Sequence, residues 1–185
     1  MKPIALLGVL CAVGVWISYT AIAGPSHTGG DRSLPAQVTS KTHFAVVHTD
    51  AEWRKLLSPG SYYILREAGT EAPGSGKYNE FWRAGTYVCA ADGQPLFKST
   101  AKYDPHEGWP SFFEPISNKA VLLRTDNSMG MERTEVVCSR CGGHLGHLFD
   151  DGPAPTGLRY CMDSDALVFI PAGQKLPPLG KPVHI

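Results

Sequence analysis

The stretch TEVVCSRCGGHLGHLF, residues 134–149, carries the clearest fold signal in the chain. Two short runs that mix apolar and polar residues, 134–138 and 144–149, flank a turn that contains Cys138, Cys141 and two glycines. Runs of this length separated by turn residues are typical of β-strands. The stretch therefore predicts a strand, a cysteine-bearing turn and a second strand.

The same pattern recurs along the chain and predicts a mainly β fold. Six more strands are expected near residues 86–90, 95–99, 111–116, 120–125, 159–163 and 167–170. Before them, Thr49 or Asp50 can cap a short helix that runs through Leu57. Ser58-Pro59 can begin a second helix, because proline is tolerated in the first turn.

Length and charge limit the classes of function. A chain of 185 residues has room for one domain, which we place at residues 43–172, followed by a proline-rich tail at 173–185. Seventeen basic residues balance seventeen acidic ones, so the formal net charge is zero. No field then attracts nucleic acid or an anionic membrane surface. We expect no nucleic-acid role, and we expect a monomer.

The N-terminus predicts export. Lys2 precedes an uncharged apolar run, residues 3–23, that ends in Ala21-Ile22-Ala23, a small-x-small cleavage pattern. Residues 1–23 are therefore predicted to be a signal peptide, and the mature protein to be periplasmic or secreted. An uncleaved membrane anchor is the alternative, because about twenty apolar residues can cross a bilayer. Residues 24–42 are predicted to be a flexible linker.

Four cysteines remain in the mature chain, and three of them indicate a metal site. Cys138 and Cys141 form a C-x-x-C knuckle, which suits half of a tetrahedral zinc site. Cys89 and Asp92 form the best candidate for the other half, with a carboxylate as the fourth ligand. Such a zinc ion would be structural, since the protein fills every position. The alternatives are a Cys138–Cys141 disulfide or a degenerate site that binds nothing.

The fourth cysteine, Cys161, is the candidate nucleophile. Arg159 lies two residues away, hence on the same face of a strand, where a cation lowers a thiol pKa. A buried structural cysteine is the alternative. Upstream, His144 and His147 are compatible with a metal motif, a core pair or proton donors beside a thiolate. Trp109 is compatible with a core position or with the mouth of a pocket that holds a methyl group.

Seven motifs together resemble the B-type methionine-R-sulfoxide reductases. They occur in family order over about residues 50–170, and they are GTE at 69–71, GWPSF at 108–112, RTEV at 133–136, CGGHLGH at 141–147, DGP at 151–153, PTGLRYC at 155–161 and Ser164. The resemblance implies two antiparallel sheets that lean together like a tent, with a substrate cleft on one sheet and zinc at the edge.

The resemblance also implies a role for each site residue. Cys161 matches the nucleophile, and His144 and His147 match the pair that handles the sulfoxide oxygen and its proton. Trp109 matches the indole that receives the substrate methyl group, with Phe149 beside it. Asp151 matches the acid that orients the site, and Arg159 matches the cation beside the thiolate. Substrates are free and, preferably, peptide-bound methionine-R-sulfoxide, which for this chain means oxidised exported proteins.

Three positions depart from the family pattern. Glu107 stands where many members have a resolving cysteine, so we expect an external thioredoxin-like protein or small thiol to be the reductant. Asp163 replaces the usual asparagine. Either Asp163 is protonated, or it is paired with Arg159, or the activity is reduced. Asp92 replaces a zinc-binding cysteine. The competing hypothesis is a non-catalytic binding or redox-sensing module on the same fold.

Overall fold

The structure is a computed structural model and describes residues 33–184. Within that range, two short helices precede a series of β-strands. The helices are α1 (Asp50–Leu56) and α2 (Pro59–Glu67), and the strands are β1 (Gly85–Cys89), β2 (Pro95–Lys98), β3 (Lys102–Tyr103), β4 (Ser111–Phe112), β5 (Val121–Asp126), β6 (Arg133–Cys138), β7 (His144–Phe149), β8 (Arg159–Met162) and β9 (Leu167–Pro171).

Side-chain caps fix where the helices begin. The hydroxyl of Thr49 accepts the backbone N–H of Glu52, and the Glu52 carboxylate accepts the N–H of Thr49. This reciprocal pair satisfies two donors that the first turn of a helix leaves free. Ser58 caps α2 and Pro59 occupies its first turn, as the sequence predicted. Trp53 of α1 and Leu65 of α2 are buried on the inner faces of the two helices.

The strands form two antiparallel sheets, so the predicted fold class is confirmed. One sheet has the order β2-β1-β9, and the other has the order β3-β4-β8-β7-β6-β5. Predicted strand bounds agree to within two residues except for β4, which ends at Phe112 and not near residue 116. The two-residue β3 was not predicted, because so short a strand has no periodicity to recognise.

Aromatic side chains join the two sheets. Phe97 of β2 stacks on Phe112 of β4, with ring centroids 4.4 Å apart, and packs against Tyr160 of β8 at 5.9 Å. Tyr87 of β1 contacts Phe112 edge-on at 5.1 Å. All four rings are buried, and aromatic pairs in these geometries add to the free energy that burial already contributes. The cluster therefore sets the position of β8 relative to the small sheet.

Two flanking segments are attached to this core. Leu123 of β5 exchanges backbone hydrogen bonds with Ala36 and Val38, so β-structure begins ahead of the domain boundary expected at residue 43. In the tail, the N–H groups of Gly180 and Val183 donate to the loop after β1 at 2.7 and 2.9 Å. The predicted signal peptide, residues 1–23, lies outside the described residues. Neither described helix has the length and apolar character needed to cross a membrane.

Candidate active site

Strand register places Cys161 in a row of polar side chains across the larger sheet. Cys161 of β8 is paired with Ser111 of β4 on one side and with His147 of β7 on the other. His147 is in turn paired with Glu135 of β6, and Glu135 with Arg124 of β5. Residues paired in this way point to the same face of a sheet. The fold therefore brings a thiol, an imidazole, a carboxylate and a guanidinium together.

Each of the two histidines is held by a carboxylate. His144 Nδ1 lies 2.8 Å from Glu135 Oε1, and His147 Nε2 lies 2.8 Å from Asp126 Oδ2. The two imidazole centroids are 5.2 Å apart. Although burial raises the pKa of Glu135, hydrogen bonds from His144 and Arg124 outweigh that effect and lower it to about 2. A carboxylate that stays ionised fixes the orientation of its imidazole.

Sequence reasoning missed both carboxylates. The RTEV motif contains Glu135 but gives it no role, and no motif contains Asp126. A charged residue inside an apolar strand was the available signal for Glu135, since buried acids are nearly always paired. Asp126 had no such signal, because its partner depends on the register of three strands.

Asp163 faces His144 at the edge of the site. One carboxylate oxygen accepts the backbone N–H of Glu71 at 2.9 Å, and the other lies 3.7 Å from His144 Nε2. Burial raises the pKa of Asp163 to about 7. The expected alternative of a pair with Arg159 is wrong, because the Arg159 guanidinium makes a two-pronged contact with Asp151 at 2.7 and 2.8 Å.

Arg159 does not lower the thiol pKa below its usual value, contrary to expectation. Burial raises the pKa of Cys161 to about 11, and Arg159 and a hydrogen bond with Ser111 offset only part of that rise. Arg159 shares its charge with Asp151 and lies over the Phe149 ring, 4.3 Å from its centroid. The thiol therefore needs a base, or a bound substrate, to reach the thiolate form.

The indole of Trp109 is fixed by the loop that follows α2. Its Nε1–H donates to the backbone oxygen of Glu71 at 3.1 Å, and the Glu71 carboxylate accepts the N–H of Ser164 at 2.8 Å. Among residues 33–184, the buried polar atoms without a hydrogen-bond partner include two at this site, the hydroxyl of Tyr103 and Nε2 of His144. Tyr103 is paired with Ser111, next to Cys161. These atoms are available to bind a substrate oxygen.

The two knuckles meet in a candidate metal centre. One ligand atom from each of Cys89, Asp92, Cys138 and Cys141 lies within 4.8 Å of the others, and all four residues are buried. The sulfurs of Cys89 and Cys141 are 3.8 Å apart, and that of Cys138 is 3.6 Å from the Asp92 carboxylate. The four described cysteines are all free thiols.

The donor set fits a divalent cation. Burial raises the pKa values of Asp92 and of the Cys89 thiol, because a negative charge there has little solvent to stabilise it. Two cationic side chains lie near the cluster. Arg140 Nε is 3.9 Å from Asp92 and is among the buried atoms without a hydrogen bond in the described chain, and Arg66 donates to the backbone oxygen of Cys141 at 3.1 Å. A cation at the centre would stabilise these negative charges in place of solvent. Zinc does so when thiolates and carboxylates are its ligands.

Comparison with known proteins supplies the family. Residues 57–171 match the SelR domain model, which is more than half of the chain. The peptide methionine sulfoxide reductase MsrB of Thiobacillus denitrificans is 57% identical over 123 residues, which are 66% of this chain and 93% of that protein. The chain belongs to the MsrB family.

In two further relatives, the match also extends over almost the whole length of the relative. The MsrB of Bradyrhizobium diazoefficiens is 51% identical over 75% of this chain and 99% of its own. That of Leptospira interrogans is 51% identical over 69% of this chain and 97% of its own. The SelR match, residues 57–171, spans strands β1 to β9 and with them both knuckles and Cys161.

Proposed function

We propose that this protein reduces methionine-R-sulfoxide, preferably within peptides, with Cys161 as the nucleophile. Membership of the MsrB family supports the reaction. The observation that carries the assignment of Cys161 is its register with His147, beside the partner-free Nε2 of His144. The other described thiols lie in the metal cluster.

Proton transfer begins at Cys161. Burial lowers the pKa of His147, so its imidazole is neutral and can accept the thiol proton. The thiolate attacks the substrate sulfur while the histidine pair protonates the sulfoxide oxygen and neutral Asp163 donates a hydrogen bond to it. The sulfur–oxygen bond breaks and the oxygen passes to Cys161. The sulfoxide sulfur gains two electrons, so methionine is released, and Cys161 loses two electrons and becomes a sulfenic acid.

An external reductant completes the cycle. Two thiol groups, from a thioredoxin-like protein or small thiols, convert the sulfenic acid to the thiol with release of a disulfide and water. Glu107 is exposed at the position of the usual resolving cysteine. Cys138 lies three residues along β6 from Glu135, roughly 10 Å at strand spacing, and one strand beyond His147. That separation favours an external thiol.

Zinc is the metal we assign to the cluster. Cys89, Asp92, Cys138 and Cys141 would hold it, and Zn²⁺ bound there would contribute to folding by tying two loops together. We assign the protein to the periplasm or the exterior on the strength of residues 1–23, as a monomer that repairs oxidised exported proteins. Residues 3–23 retained as an anchor are the alternative.

An epimer assay tests this function. Purified protein that begins after Ala23 is incubated with dithiothreitol and each epimer of methionine sulfoxide, and methionine release is followed. Only the R epimer should turn over, and Cys161→Ser should abolish turnover because a hydroxyl is a much weaker nucleophile. Turnover by the serine variant, or of the S epimer alone, contradicts the proposal. Binding without turnover would favour the non-catalytic module.

A further inference from the structure

The loop between β5 and β6 exposes two methionines. Met129 has 79% of its surface exposed and Met131 has 52%. The backbone of Met129 adopts the left-handed region, with φ of 56°, which is uncommon for a residue other than glycine. An apolar side chain this exposed contributes little to packing, and oxidants reach it freely. Neither residue belongs to the site described above.

A single nitrogen links Met129 to the active site. Arg133 Nη2 lies 3.9 Å from the Met129 sulfur, 2.7 Å from Asp126 Oδ2 and 3.2 Å from the hydroxyl of Ser128. The same Asp126 oxygen lies 2.8 Å from His147 Nε2. The chain of contacts therefore runs from a surface thioether through a guanidinium and a carboxylate to the imidazole paired with Cys161.

Oxidation of Met129 would change the first contact in this chain. A thioether sulfur is a weak hydrogen-bond acceptor, whereas a sulfoxide is polar and carries a strongly accepting oxygen. Because Arg133 Nη2 already divides its two hydrogens between Asp126 and Ser128, a new acceptor competes directly with Asp126. Asp126 then loses a partner, and the orientation of His147 is less well fixed.

We propose that Met129 is an oxidation site that lowers activity through Arg133 and Asp126, and that a second copy of this chain repairs it. Peroxide transfers one oxygen to the Met129 sulfur and leaves as water. In repair, that oxygen passes to Cys161 of the second molecule, and two thiols reduce the resulting sulfenic acid with release of a disulfide and water. The repair step rests on the proposed function.

The first experiment tests repair. The Cys161→Ser chain is treated with hydrogen peroxide, and peptide mass spectrometry quantifies sulfoxide at Met129 and Met131. Wild-type protein in catalytic amount is then added with dithiothreitol. Met129 sulfoxide should fall to about half, since peroxide forms both epimers and only one is a substrate. Unchanged sulfoxide, with the same wild-type protein active on free methionine-R-sulfoxide, overturns repair alone; inactivity on both overturns the proposed function.

The second experiment tests coupling to activity. Wild-type, Met129→Leu and Met131→Leu proteins are treated with peroxide, returned to dithiothreitol and assayed on free methionine-R-sulfoxide. Before treatment, all three should be equally active. After treatment, wild-type and Met131→Leu should retain about half of the activity that Met129→Leu retains, because dithiothreitol allows repair of the R epimer at Met129 and leaves the S epimer in place. Over-oxidation of Cys161 affects all three alike. Equal losses in the three proteins overturn the proposal.

Discussion

At the scale of single residues, the acids that hold the histidines are as informative as the histidines. Glu135 is buried and accepts hydrogen bonds from His144 and, at 2.5 and 2.8 Å, from Arg124. The sequence identified His144 but not its partner, because the pairing depends on the alignment of β6 and β7. We therefore infer that Glu135 positions the imidazole of His144.

Replacing Glu135 by glutamine should lower kcat by about tenfold or more with little change in KM, because general acid catalysis contributes about 10²- to 10⁴-fold. The exposed Glu132 offers a matched control, since Glu132→Gln should leave both parameters unchanged. Steady-state kinetics with a pH profile measures the effect. A Glu135→Gln protein with unaltered kcat would remove Glu135 from this role.

Asp163→Asn should raise activity above neutral pH. Since the pKa of Asp163 is about 7, its carboxyl is neutral below that pH and ionised above it, where its charge raises the pKa of Cys161. Asparagine carries no charge and donates an N–H at every pH, so the rising limb of the pH–rate profile should move to lower pH. Glu132→Gln, a change on the exposed surface, is the control. A fall in activity would identify Asp163 as an essential acid.

At the scale of elements, the sequence predicted the strands because each contains an apolar run between turn residues. It also predicted that the two knuckles meet. It did not predict β3 or the hydrogen bonds of the tail to the loop after β1, since neither has a periodic pattern. Nor could residue order alone show that burial outweighs Arg159 at Cys161, because desolvation depends on the packed surroundings.

The knuckles lead to a prediction about metal content. The purified protein should contain about one zinc ion per chain, and Cys138→Ser should lose it and melt at a lower temperature, because a closed structural site contributes directly to folding. Asp92→Cys should hold the metal longer against a chelator, since four thiolates are the more usual structural set. Cys161→Ser is the control and should keep its metal. Metal-free wild-type protein of full stability would show that the site is degenerate.

At the scale of the whole molecule, the candidate metal centre and Cys161 occupy different parts of the fold. Cys89 ends a strand of the small sheet, whereas Cys138 ends a strand of the large one, so a bound ion would join the two sheets. Cys161 lies within the large sheet, between His147 and Ser111. The proposed function therefore assigns stability and chemistry to different cysteines, and the other three thiols among residues 33–184 all belong to the metal cluster.

A single-turnover experiment tests most directly whether Cys161 reacts without the cysteines of the metal cluster. Reduced protein is freed of small thiols, mixed with one equivalent of methionine-R-sulfoxide and trapped with dimedone, and its cysteines are mapped by mass spectrometry. The account predicts one methionine per chain and a dimedone adduct on Cys161. A disulfide between Cys161 and Cys89, Cys138 or Cys141, or methionine formed without modification of Cys161, would contradict it.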